Sequence, residues 1–479
     1  MRMLINGEWR GAVQGGVIPI SNPATLERID EVPRAASKDI DAAVLAAREG
    51  ARLNRRLPAH ERHRYLSSCG TSILAHLDEL RASMICENGK SHSWADFEIR
   101  KTAEIFMTVA ERVKDPGGTT YPMDSMQGCE GQMAMLYRQA IGVVGGIIPF
   151  NFPAEMLAYK AAAALAAGNS IVIKLPEDCP LTCLRIGELM LEAGVPAGVI
   201  HLLTGYGEEA GEPLVMHPDV RVISFTGSSA VGKRIMEKAA PTLKKLSLEL
   251  GGNDPVIVFE DADIEAVARN LVRGRMTVGN GHACVADKRF LIEKPVVEKF
   301  VALAKDVVSK LRLGNPCDPA VDVGPLIHEE AAQRVEAMIL DAVEKGAKIV
   351  VGGKRVNRTF IEPTVLAGVT ADMRVAKEEC FGPVAPVLSF VSEEEAIACA
   401  NDSPYGLQAA VYTRDISRAL RVADELDVGG VVVNGSSCFR PGNVPYMPRK
   451  ESGLGTDNMF NCVEEMTAGK AVVICGVRP

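Results

Sequence analysis

From residue 141 onward, short apolar runs alternate with helical stretches, and this alternation constrains the fold more than any other feature of the chain. The runs 141–148, 170–174, 199–204, 220–226 and 246–250 are separated by helical periodicity over 155–167, 181–193, 208–216 and 231–239. A second set follows from about 256, with strands at 289–292, 348–351, 387–390, 409–412 and 430–434. Its helices fall at 296–311, 329–345, 393–401 and 415–426. The pattern predicts an α/β protein in which parallel sheets carry helices on both faces. Ligands of such sheets bind beyond the carboxyl ends of the strands. Lys174, the run 204–207, Thr226, Gly227, Ser228 and Glu249 stand at those ends. Pro386 is expected to mark the start of the run 387–390, where a missing N–H costs least.

The chain before 141 is different. Asn6-Gly7 signals a two-residue hairpin turn. Ser37 is expected to cap a helix whose apolar face is Ile40, Ala43, Val44 and Ala47. Helical stretches over 59–87 and 91–113 end at the break Asp115-Pro116-Gly117-Gly118. Residues 119–140 alternate over 132–139 but fit no strand–helix–strand unit, so they are expected to pack elsewhere. The apolar strand 470–477 needs a partner to stay ordered.

At 479 residues the chain is too long for one ordinary core, and two or three domains are expected. A net charge of −8 argues against a nucleic-acid or anionic-membrane surface, and the apolar runs are too short to span a bilayer. The N-terminal residues lack an apolar leader, and the twelve cysteines contain no CxxC pair. Both suit a reducing, cytoplasmic setting. Cys179 and Cys183 are four apart but have no accompanying His or second Cys pair, so no metal site is expected.

Two residues carry the chemistry. Glu249 ends an apolar strand and is followed by Gly251 and Gly252, which let another segment approach closely. Cys284 lies among Gly279, Gly281 and Ala283. A thiolate attacks carbonyl carbon, and a carboxylate beside it can activate water. Asn151, between Phe150 and Phe152 in a turn stiffened by Pro149 and Pro153, can donate to a developing oxyanion. Lys174 and Glu177 can grip ribose hydroxyls, and the carboxylate repels a 2′-phosphate, favouring NAD over NADP. The run 227–233 fits GxxxxGK, but Arg234 follows where a metal-binding hydroxyl belongs, which argues against an NTPase. Gly227-Ser228 at a helix start still suits a phosphate.

The ordered set PFNFP, KLPE, FTGSSAVG, LELGG, GNGHAC, EECFGP and KESGLG resembles the aldehyde dehydrogenase superfamily over essentially the whole chain. The resemblance implies two Rossmann-like parallel-sheet domains and a small β element for oligomerisation. Residues 1–118 and 141–249 would bind the cofactor, 250–452 would form the catalytic domain, and 119–140 with 453–479 would join subunits into a dimer or tetramer. It implies Cys284 as nucleophile, Glu249 as general base, Asn151 as oxyanion donor and Lys160 as a nearby lysine. It implies NAD, with NADP possible, held by Ile148, Pro149, Lys174, Glu177, Gly207, Thr226, Gly227, Ser228, Glu379 and Phe381. The activity implied is oxidation of a small aldehyde through a cysteine thiohemiacetal and thioester, hydrolysed by water. A CoA-acylating relative, or a binding protein that keeps the fold, are the alternatives. Glu249 argues against the first.

Three positions depart from the family pattern: Phe150 before the Asn, His282 two before the Cys, and the loop Pro445–Lys450. They bear on substrate identity. His282 is a candidate for tuning Cys284. Arg100, Arg440 and Arg449 are candidate anchors for an anionic aldehyde such as a semialdehyde or lactaldehyde. The thiolate also needs a nearby positive potential, whose source the sequence does not reveal.

Overall fold

The computed structural model describes residues 1–115, 117–456 and 458–476. Its first large sheet has eight strands. Five run parallel, in the spatial order Ile200–Leu203, Ser170–Lys174, Val143–Ile147, Val220–Thr226 and Lys245–Glu249. The strand that comes first in the chain is therefore central, and the winding reverses beside it. Such a reversal opens a crevice outside the carboxyl ends of Val143–Ile147 and Val220–Thr226. Met3–Ile5 pairs antiparallel on one side, and Gly453–Leu454 pairs antiparallel with Leu248 and Glu249 on the other.

The second sheet has seven strands, again wound both ways from its first, Pro255–Val258. Only the edge strand Lys348–Val351 is antiparallel. Pro386 lies inside the strand Val384–Phe390 rather than at its start. Five consecutive buried residues, 384–388, hold that strand between its neighbours, and this burial outweighs one absent donor.

Four helices, Ser37–Arg56, Ala59–Ala75, Leu77–Asn88 and His92–Arg112, precede the parallel strands. The stretch 59–87 is thus two helices that meet at His76. Ser37 is the first helical residue and not the cap. The cap is Ala36, whose N–H is taken at 3.1 Å by the buried carboxylate of Asp39. Asn6 and Gly7 adopt φ of 55° and 77°, the left-handed pair that closes a two-residue hairpin. The helix Pro153–Ala166 is buried at every residue but Glu155. Its alanines let it pack closely against His92–Arg112 and the sheet.

Residues 119–140 pack away from both sheets. Gly118–Tyr121, Met133–Ala140 and Thr467–Ile474 form a separate antiparallel sheet, in register from Thr467 opposite Ala140 to Ile474 opposite Met133. The C-terminal strand finds its partner there. Pro116 and Val477, named above at the two ends of this region, lie outside the described residues.

Candidate active site

Asn151, Glu249 and Cys284 line one cleft of about 850 Å³. Each arrives by a different route. Glu249 is the last residue of the strand Lys245–Glu249 and is buried. The chain then passes through Gly251 and Gly252, and the reason for glycine is visible. A Cβ on Gly252 would stand 2.7 Å from the carbonyl oxygen of Cys284, and one on Gly251 would stand 2.5 Å from Oε2 of Glu379. The double glycine is where the two halves of the site close on each other.

Cys284 follows a turn in which Gly279, Asn280 and Gly281 all have left-handed φ, of 50°, 59° and 83°. The Asn280 side chain holds that turn. It donates to the carbonyls of Gly89 at 2.8 Å and Pro325 at 3.0 Å, and accepts from Gly324 N–H at 2.8 Å. At Gly281, a Cβ would lie 2.3 Å from the Gly382 backbone. The thiol itself is half-buried and stands 3.9 Å from the Tyr446 hydroxyl.

Asn151 donates through its side-chain amide to the carbonyl of His282 at 3.0 Å, while its own carbonyl accepts from Lys90 Nζ at 2.7 Å. Lys90 is a buried cation paired with the buried Glu98. Glu98 in turn accepts the N–H groups of Ala154 at 2.9 Å and Glu155 at 3.3 Å, at the start of the helix Pro153–Ala166. A carboxylate at that end satisfies free N–H groups and complements the helix dipole. Burial pushes the Glu98 pKa up, while Lys90 and the two N–H groups pull it back. Neither residue had a motif to reveal it.

Burial raises the Cys284 pKa to about 11, and Lys288 and Arg440 oppose that rise. Of the two, Lys288 opposes it more strongly. The lysine sits four residues on, directly before the strand Arg289–Glu293 and not in a helix, and no periodicity marks it.

Lys160 projects from the helix Pro153–Ala166 onto the strand Val220–Thr226, donating to Ser224 at 3.1 Å and Thr226 at 2.9 Å. Thr226 also lines the cleft. A second cavity of about 540 Å³ lies at the reversal point, lined by Ile147, Gly207, Val215, Phe225, Val231 and Ile235 among others. Ser228 caps the helix Ser229–Ala239, its Oγ accepting Val231 N–H at 3.4 Å. A Cβ on Gly227 would fall 2.3 Å from the Phe225 ring. Lys174, the last residue of its strand, is buried and paired with the half-exposed Glu177 three residues beyond. Ile148 and Pro149 form the link from the strand Val143–Ile147 to Asn151, and Ile148 N–H donates to Lys174 at 3.3 Å. An apolar slot beside a helix N-terminus and a Lys–Glu pair fits an adenine, a pyrophosphate and a ribose. Across the cleft, Glu379 accepts Gly252 N–H at 3.2 Å, and Phe381 lies 6.1 Å from Phe150, ring centre to ring centre.

His282 is buried between Phe150, at 5.3 Å, and Phe381, at 5.4 Å. Burial lowers its pKa to about 3, so the ring is neutral. It does not line the cleft. Its contribution there is the backbone carbonyl that Asn151 uses.

The arginine candidates separate. Arg440 lines the cleft, its guanidinium 3.8 Å from the Tyr446 ring centre and 5.1 Å from that of Tyr159. Arg100 does not. It is exposed and bonded to Asp96 at 2.7 Å. Arg449 pairs with Asp427 at 3.5 Å on the surface. The helix His92–Arg112 instead presents Trp94, Phe97 and Lys101 to the cleft. Those residues are three and four apart and share one helical face, while the Arg100 side chain is engaged by Asp96. Arg273 and Glu155 complete the charged lining.

The comparisons with known proteins agree with one another. A family model described as "Aldehyde dehydrogenase family" matches residues 9–472. The NADP-linked succinate-semialdehyde dehydrogenase of Escherichia coli is 39% identical over 464 residues, 96% of this chain and 95% of that protein. The 3-sulfolactaldehyde dehydrogenase of Priestia megaterium is 37% identical over 472 residues, 98% of this chain and 97% of that one. The crystal structure of succinate-semialdehyde dehydrogenase from Burkholderia pseudomallei superposes with a TM-score of 0.96 at 38% identity, covering 99% of this chain and 97% of the other. Likeness of this extent, in sequence and in fold, leaves one conclusion: the chain belongs to the aldehyde dehydrogenase family, oxidoreductases that work with NAD(P).

Proposed function

We propose that this enzyme oxidises a small aldehyde with an anionic tail to its acid, prefers NAD to NADP, and releases the product by hydrolysis. The observation that carries the reading is that Cys284, Glu249 and Asn151 share one cleft that Arg440, Arg273 and Lys101 also line.

Cys284 adds to the aldehyde carbon. The Asn151 amide and the Cys284 N–H are the donors for the oxygen as it gains charge, and His282 and Lys90 hold Asn151 in place for that task. The bound cofactor supplies a nicotinamide ring that takes up hydride. Lys174, Glu177, Gly207, Gly227 and Ser228 would hold its adenosine and pyrophosphate, and Glu379 and Phe381 its nicotinamide end. Oxidation leaves the acyl group on Cys284 as a thioester, and Glu249 removes a proton from the water that hydrolyses it. Glu177 supports NAD, because its carboxylate would face a 2′-phosphate with like charge.

The tail is assigned from charge. Two relatives are named for succinate semialdehyde and 3-sulfolactaldehyde, and both compounds carry an acid group. Three cations line this cleft against two carboxylates, Glu155 and Glu249, so positive charge is in excess. Assembly into a dimer or tetramer is supported by the strand Thr467–Ile474, an edge strand with Val473 and Ile474 exposed. A cytoplasmic setting is supported by twelve free thiols. Among the described residues, no helix is long and apolar enough to cross a membrane.

The test is a panel of aldehydes with acid, neutral and cationic tails, each with NAD and with NADP, with and without CoA. Turnover favouring acid-tailed aldehydes and NAD, with free acid as product, supports the reading. A requirement for CoA rejects hydrolysis, and equal use of neutral tails rejects the anionic assignment.

A further inference from the structure

Behind the nucleophile lies a buried ammonium that the reaction as described above does not use. The Lys288 side chain is 1% exposed. Its Nζ donates to the carbonyl oxygen of Cys284 at 2.5 Å and pairs with Oε1 of Glu379 at 3.0 Å. The same Glu379 oxygen accepts Gly252 N–H at 3.2 Å, three residues beyond Glu249. The Lys288 and Arg289 N–H groups both bond to the carbonyl of Asp254, at 3.0 and 3.1 Å, which fixes the backbone from which the lysine extends. One cation thus touches the peptide unit of the nucleophile and the carboxylate that faces the double glycine.

We infer that Lys288 is a positioning residue that ties the seat of the cofactor's nicotinamide ribose, Glu379, to the peptide of Cys284, so that one buried ammonium sets both. The inference rests on the cofactor reading of Glu379 given above. A lysine in this place does two things. It fixes the Cys284 carbonyl, and with it the direction of the following chain. It also supplies positive charge in a site poor in water, where a charge acts over a longer range than in solvent. Its position among the groups that act on Cys284 agrees with this: it is the largest influence favouring the thiolate, against burial, Glu249 and Glu379. Glu379 and Lys288 offset each other. A ligand hydroxyl that draws the carboxylate away from the ammonium leaves more of its positive charge directed at the sulfur. Filling the ribose seat therefore activates the nucleophile.

The experiment follows alkylation of Cys284 by iodoacetamide against pH, reading the Cys284 peptide by mass spectrometry so that the other thiols do not interfere. Wild type, Lys288→Met and Lys288→Arg are compared, each with and without NAD. Lys288→Met is expected to slow alkylation at neutral pH about tenfold, a shift of roughly one pH unit in the midpoint. Lys288→Arg is expected to recover most of it, and NAD to lower the wild-type midpoint but not that of Lys288→Met. An unchanged midpoint in a folded Lys288→Met, with only its melting temperature reduced, overturns the inference. If Lys288→Met does not fold, the double variant Lys288→Met/Glu379→Gln removes both buried charges, and Glu379→Gln alone is its reference. A higher midpoint in the double variant supports the inference, and equal midpoints overturn it. The readout needs no aldehyde, so an error in the proposed substrate leaves it standing.

Discussion

The Asn151 side chain and the Cys284 backbone are joined through one atom, the carbonyl oxygen of His282, which accepts the Asn151 amide at 3.0 Å two residues before the nucleophile. The proposed oxyanion donor is thereby held by the same turn that carries the sulfur. Asn151→Ala removes the donor and should lower kcat about 10²- to 10³-fold with little change in KM, because the interaction is made only as charge develops. Steady-state kinetics with circular dichroism as a fold control checks it. A loss confined to KM would place Asn151 in ground-state binding instead.

Glu249→Gln separates the two halves of the reaction. Cys284 still adds and oxidation still occurs, but the thioester has lost its base. Rapid mixing should show a burst of reduced cofactor near one equivalent, followed by turnover slowed about 10²- to 10⁴-fold. Absence of the burst would mean that Glu249 acts before the thioester forms.

The sheets were legible from residue 141 because their strands are short, apolar and spaced by amphipathic helices, and most predicted runs fall within two residues of the strands observed. Pro386 was misplaced because local chemistry disfavours proline in a strand, while tertiary burial on both faces decides. Of the site, the sequence showed residues next to a turn signal: Glu249 before Gly251-Gly252, Asn151 between prolines, Cys284 after Gly281. Lys90, Glu98 and Lys288 stayed hidden because each touches a segment far away in the sequence, Lys90 at Asn151, Glu98 at Ala154 and Lys288 at Glu379, which no local spacing encodes. Arg100 was named as an anchor for its positive charge, which its neighbour Lys101 shares, and it is Lys101 that lines the cleft.

At the proposed substrate end, one carboxyl is poised near neutrality. Burial raises the Glu155 pKa to about 7, with Arg440 opposing. Below that pH the carboxyl is protonated and neutral, and above it a negative charge enters the cleft beside Arg440, Lys101 and the Lys90–Glu98 pair. KM for an acid-tailed aldehyde should therefore rise as pH passes from 6 to 8, while KM for a neutral aldehyde stays flat. Glu155→Gln should remove the slope. Arg440→Ala should raise KM for the acid-tailed aldehyde about 10- to 100-fold more than for the neutral one, the loss of one charged hydrogen bond. Equal effects on both aldehydes would exclude Arg440 as the anchor.

The proposed preference for NAD rests on Glu177. Glu177→Ser removes the charge that opposes a 2′-phosphate and leaves its partner, the buried Lys174, able to meet one. The ratio of kcat/KM for NADP to that for NAD should increase at least about tenfold, or ~1.4 kcal/mol. An unchanged ratio would put the discrimination elsewhere, at Gly207 or around the Arg34–Glu209 pair beside Tyr206.

The buried pair of Lys90 and Glu98 links stability to catalysis. Lys90 holds the Asn151 carbonyl, and Glu98 holds the first N–H groups of the helix Pro153–Ala166. Lys90→Met leaves Glu98 as an unopposed buried carboxylate and should destabilise the fold by ~3–5 kcal/mol. Lys90→Met/Glu98→Gln removes both charges and should recover much of that stability, as followed by thermal melting. Catalysis should not recover with it, because the Asn151 carbonyl still lacks its donor and the amide is less firmly aimed at the nascent oxyanion. A double variant that regains both stability and kcat would show that the pair supports the helix alone and that His282 suffices to orient Asn151.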